Sequence, residues 1–169
     1  MKRVLLWLLL LPCAANAQNE DDFLPTVKLL VIDSPEVATQ RFCKEIISTV
    51  GGFKLAFTDR ENVMMTKYMY DNADFQTVKF DFQFVIDETM APDSTIKRNR
   101  VVRYMSITAD LPVMARIYSY LFNETYTPDK LMTISANDKA INYKGSTYSA
   151  KLISDDFKAG YWVLSFYKL

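Results

Sequence analysis

The chain has 169 residues, of which 50% are apolar and 14% aromatic, a composition that rules out wholesale disorder and suffices for one ordinary hydrophobic core. Lysine plus arginine equals aspartate plus glutamate at 20 each, so no global field directs the protein to nucleic acid. Histidine is absent, which removes Ser-His-Asp hydrolysis, Cys-His proteolysis, His-ligated zinc and haem on a proximal histidine.

Residues 1–17 read as a secretory signal peptide: Lys2-Arg3 form a basic start, residues 4–11 an apolar run, and Ala15-Asn16-Ala17 a small-x-small cleavage site. The run falls short of the roughly 20 residues that span a bilayer, so no transmembrane segment is expected. Cys13 after Leu10-Leu11-Pro12 raises the alternative of a lipidated cysteine, although Pro12 departs from the small residue such a site prefers. The expected location is periplasmic or extracellular. Cleavage would remove Cys13 and leave Cys43 without a partner for an intramolecular disulfide.

After an acidic lead-in over 18–25, a single α+β domain is expected over 26–169. Residues 26–32 are rich in β-branched and aliphatic side chains and predict a strand. Ser34, Pro35 and Glu36 then supply a cap, a first-turn proline and a charge that suits the positive helix end. Phe42, Cys43, Ile46, Ile47 and Val50 form the helix's apolar stripe, and Gly51-Gly52 ends it. The period then changes to two. Phe53, Leu55 and Phe57 alternate with polar or small residues, residues 63–70 return as a second strand, and Val78, Phe80, Phe82, Phe84 and Ile86 mark a third. A loop with Pro92 leads to a strand over 97–108.

Asp110 is placed to cap a second helix whose stripe is Leu111, Met114, Ile117, Tyr118 and Leu121. A loop is expected over 123–130, then strands over 131–136, 139–144, 147–154 and 161–168, separated by turn residues. The expected fold class is therefore α+β: an antiparallel meander sheet or sheets with two helices packed on one face. Two similar helix-plus-meander halves, or one larger sheet, both satisfy this order.

Few residues carry a chemical signal. Ser94-Thr95-Ile96-Lys97 matches an acyl-enzyme S-x-x-K pattern but falls in a loop without the accompanying motifs. Asp59/Glu61, Asp87/Glu88 and Asp155/Asp156 could divide acid and base roles, yet all sit at expected turns or strand ends. Met64, Met65 and Met69 read as gap-filling packing rather than a copper site. No metal or cofactor is expected. The candidate binding residues are the basic segment Lys97, Arg98, Arg100 and Arg103, and the rings Tyr68, Tyr70, Tyr161 and Tyr167, which an alternating strand would display together. Asn123-Glu124-Thr125 is an N-glycosylation sequon, and Asp93-Ser94-Thr95 fits a short bacterial O-glycosylation pattern.

The export segment ending Ala15-Asn16-Ala17-Gln18, the capped helix, the Phe-rich strand and the run Arg100-Val101-Val102-Arg103-Tyr104-Met105-Ser106-Ile107 together resemble small secreted proteins of Gram-negative gut bacteria. Some of these carry domains of unknown function with a TATA-binding-protein-like helix-and-meander fold. The likeness covers residues 26–110 as a pattern of elements. It implies an envelope location and transfers no site residue. The expectation is a noncatalytic module that binds an envelope protein or glycan. A histidine-free hydrolase working through carboxylates, and an inhibitor or accessory subunit of a secreted enzyme, are the alternatives.

Overall fold

The computed structural model describes residues 35–60, 64–134, 139–143 and 146–168. The export segment, Cys13, the lead-in, the strand expected over 26–32, the Ser34 cap and Glu61 lie outside them. The described elements are α1 (Pro35–Val50), β1 (Lys54–Asp59), β2 (Met65–Asp71), β3 (Thr77–Met90), β4 (Ile96–Asp110), α2 (Leu111–Phe122), α3 (Pro128–Thr133), β5 (Lys139–Tyr143), β6 (Ser146–Ser154) and β7 (Tyr161–Lys168).

The strands form one seven-stranded sheet in the order β1-β2-β3-β4-β7-β6-β5, every neighbouring pair antiparallel. Both meanders run inward and end at the centre, where β4 pairs β7. The two sequence readings thus merge: there is one sheet, built by connectivity from two helix-plus-meander halves.

On α1 the 3.6-residue period buries Thr39, Phe42, Cys43, Ile46, Ile47 and Val50 and leaves Arg41 and Lys44 in water. Gly51 stops the helix at φ 66°, in the left-handed region that suits glycine, and its N–H donates to the Ile47 carbonyl at 3.0 Å. The buried stripe meets the sheet through rings. Phe42 stands edge-on to Phe80 and Phe82 at centroid distances of 6.3 and 6.1 Å. Tyr68 packs edge-on to Phe82, and Tyr70 to Phe80, at 6.0 and 5.8 Å. Burying each large side chain contributes roughly 1.5–3 kcal/mol, and each edge contact about 0.5–1.5 kcal/mol more.

Asp110 ends β4 and caps α2, its Oδ1 accepting from the Val113 N–H at 2.9 Å. Its Oδ2 accepts from Gln76 Nε2 at 2.5 Å, so the β2–β3 turn is bonded to the helix start. Val113, Met114, Ile117, Tyr118 and Leu121 of α2 complete the core. The two helices are joined where Tyr120 Oη donates to Glu45 Oε1 at 2.7 Å and Arg116 donates to the Val50 carbonyl at 3.1 Å.

Two local expectations need correction. Residues 128–133 are helical rather than loop and strand: Thr127 Oγ1 accepts from the Lys130 N–H, Pro128 occupies the first turn, and Leu131 is buried against α2. A helix of six residues is too short for its period to show in the sequence. The β3–β4 hairpin is also longer than its hydrophobic pattern. Beyond Gln83 and Tyr104, where pairing with β2 and β7 stops, residues 84–90 and 96–102 pair with each other as a ribbon that overhangs the sheet by about 20 Å.

Candidate binding face of the sheet

Because side chains alternate along a strand, packing both long helices on one face leaves the other without helical cover. The residues there include Phe57 of β1, Met65, Lys67, Met69 and Asp71 of β2, Lys79, Asp81 and Gln83 of β3, Tyr104, Ser106 and Thr108 of β4, Tyr161, Val163, Ser165 and Tyr167 of β7, and Ser149, Lys151 and Ile153 of β6. Small residues occupy its centre. Ser106 and Ser165 are buried there between taller neighbours. Beside them Lys79 pairs with Asp81 at 2.9 Å.

Toward the ribbon the ladder is irregular. Gln83 pairs Tyr104 and Phe84 pairs Val102, which leaves Arg103 as an extra residue on β4. Such a bulge bends its strand and re-aims a side chain. Arg103 is exposed and lines two adjoining depressions. One, of about 450 Å³, has Gln83, Arg103, Tyr104 and Tyr167 on its walls. The second, of about 260 Å³, is a notch between the root of the ribbon and the end of β7, walled by Val85, Ile86, Asp87, Val101, Arg103 and Lys168. Tyr104 and Tyr167 stand side by side, ring centroids 4.8 Å apart and tilted by 50°. Tyr104 Oη lies 3.4 Å from Ser165 Oγ, and Tyr167 remains 46% exposed. Partial burial, and then the neighbouring Tyr104, raise the Tyr167 phenol above its usual pKa, so its hydroxyl is a neutral donor at physiological pH.

The four tyrosines singled out from the sequence are divided by the fold. Tyr68 and Tyr70 belong to the core, at 0% and 4% exposure beneath α1, and cannot meet a ligand. Their strand alternates rings with Lys67 and Met69, and either set would satisfy a half-buried strand. The larger apolar area of the rings went inside, and the methionines expected in the core, Met65 and Met69, went to the other face. Tyr161 and Tyr167 do share the helix-free face, but they lie six positions apart on one strand, about 20 Å. Lys158 sits over the Tyr161 ring, its Nζ 3.5 Å from the centroid. Tyr167 finds its neighbouring ring in Tyr104, which sequence reasoning passed over because nothing local showed that β4 and β7 are neighbours.

The basic segment is divided as well. Arg98 pairs with Glu88 at 2.8 Å, and Arg100 lies over the Phe84 ring, 4.0 Å from its centroid. Lys97 is on the other side of the ribbon, opposite Thr89. Asp87 and Glu88, adjacent on one strand, point to opposite sides, so this pair does not converge on a substrate. Asp155 accepts from the Phe157 N–H in a turn. Ser94 of the S-x-x-K match sits at φ 64° in the exposed turn at the ribbon tip, the same turn that carries the O-glycosylation pattern, and Asn123 caps the end of α2. Among the described residues no three of the Cys, Asp and Glu side chains gather where a metal ion could be held, and no helix is long and apolar enough to cross a membrane.

Two exposed rings escaped the sequence reading altogether. Phe75 and Phe157 stand on the β2–β3 and β6–β7 turns, 92% and 100% exposed. The register places both turns at the end of the sheet where α2 begins. A phenylalanine between polar turn residues gives no periodic signal that would distinguish it from a core residue.

No family model, no curated protein and no solved structure matches this chain.

Proposed function

We propose that this protein is a noncatalytic, exported binding module that takes a glycan on the helix-free face of its sheet, at the Tyr104–Tyr167 pair. The observation that carries the reading is the tilted ring pair set beside a depression of about 450 Å³ with Gln83 and Arg103 on its walls. Aromatic faces bind the C–H faces of sugars, and the amide and guanidinium supply the directional hydrogen bonds that orient hydroxyls. Missing histidine and non-convergent Asp87 and Glu88 favour binding over hydrolysis. The signal-like residues 1–17 support an envelope or extracellular setting, where polysaccharide is abundant.

Calorimetric titration of residues 18–169 with oligosaccharides tests the reading. Tyr167→Ala should weaken binding about tenfold, a loss of about 1.4 kcal/mol. Equal affinity of the variant and the parent would remove the tyrosine pair from the site, and capture of a stoichiometric protein partner by the same face would replace the glycan reading with a protein one.

A further inference from the structure

Resting on that reading, we infer that the ligand is an acidic glycan: a sugar ring lies on Tyr104 and Tyr167 while an anionic substituent, carboxylate or sulfate, enters the neighbouring notch between Arg103 and Lys168. Two features lead to this. The depressions adjoin and share Arg103, so a chain of sugars lying across one extends into the other. The notch also gathers two basic residues, whereas the nearby Lys79 and Arg98 have carboxylate partners and Arg100 is stacked on Phe84. Arg103 and Lys168 make no ion pair within the described residues.

Asp87 on the same wall leaves the notch with an excess of one positive charge, which suits one anionic substituent per site better than a dense polyanion. Arg103 presents a planar fork able to meet a carboxylate or a sulfate through two N–H donors, and Lys168, at the end of β7, borders the same notch. The bulge is essential to this. In a regular ladder, residue 103 would take its turn in the alternation, and the guanidinium would not stand between the two depressions.

The test is an array of neutral, uronate-containing and sulfated oligosaccharides probed with residues 18–169, followed by titration at low and high salt of the parent, Arg103→Gln, Lys168→Gln and Tyr167→Ala. The parent should prefer an acidic oligosaccharide at least tenfold over its neutral counterpart, and raising the salt should erode that preference. Lys168→Gln should abolish most of the preference while leaving neutral binding in place; Arg103→Gln should abolish it as well and, having lost a donor to sugar hydroxyls, weaken neutral binding too; Tyr167→Ala should weaken both equally and so keep the preference. The relative strength of uronate and sulfate identifies which anion is used, and a preference for either supports the inference. Equal binding of neutral and acidic oligosaccharides, or a preference that persists in Arg103→Gln and Lys168→Gln, overturns the clamp and leaves the tyrosine reading intact. Retention of no oligosaccharide overturns both. Thermal melts matching the parent would show that the exposed substitutions leave the fold unchanged.

Discussion

Along β3, Val78, Phe80, Phe82 and Phe84 are all buried beneath the helices, while Lys79, Asp81 and Gln83 on the opposite side meet solvent or one another. The same backbone thus serves two surfaces under different constraints. The covered face is chosen for volume and apolar area, and any one of its residues is held by many neighbours. The helix-free face has to satisfy only the pleat, so a bulge, a serine floor and unpaired cations are tolerated there at little cost in stability. Stability and the proposed recognition are therefore separable on this sheet, and substitutions on its two sides should have unlike consequences.

The largest effect is expected at Phe82, which is fully buried against Phe42 and Tyr68. Phe82→Ala should cost about 3–5 kcal/mol in denaturant unfolding by leaving a cavity beneath α1. A loss below about 1 kcal/mol would mean that the helix does not pack there as described.

Next is the joint between the faces. Asp110→Ala should cost about 1–2 kcal/mol, since it removes the α2 cap and also strands Gln76, whose amide donates to the same carboxylate. Asp110→Asn should recover much of the loss, because an amide oxygen can still accept from Val113.

Alkaline pH probes the covered face without substitution. Burial, and then the neighbouring Cys43 and Tyr68, hold the Tyr70 phenol well above its ordinary value of 10.0; burial, and then Glu124, raise Tyr118. The folded state binds these protons more tightly than the unfolded chain does. Their contribution is therefore fully present below about pH 10 and is lost as pH rises above it. Unfolding midpoints should hold through neutral pH and fall steadily beyond 10, and Tyr70→Phe should flatten part of that fall.

The smallest stability change is expected on the helix-free face. Tyr167→Ala should shift unfolding by no more than about 0.5 kcal/mol even as it weakens the proposed glycan binding about tenfold. A destabilisation comparable to that of Phe82→Ala would show that the two faces are not energetically separate.

Residue order alone determined the α+β class, the positions of α1, β3 and α2, the Asp110 cap and the burial of Cys43, because periods of 3.6 and 2 and capping chemistry are local properties that persist in the tertiary structure. It also brought Arg103 and Tyr167 among the candidates. Only the tertiary structure decided that Tyr68 and Tyr70 face inward, that Tyr104 stands beside Tyr167, and that the bulge sets Arg103 between two depressions. Those outcomes depend on which strands become neighbours and in what register. β4 and β7 are separated by fifty residues of intervening chain, and a strand's own sequence does not specify the partner across its edge.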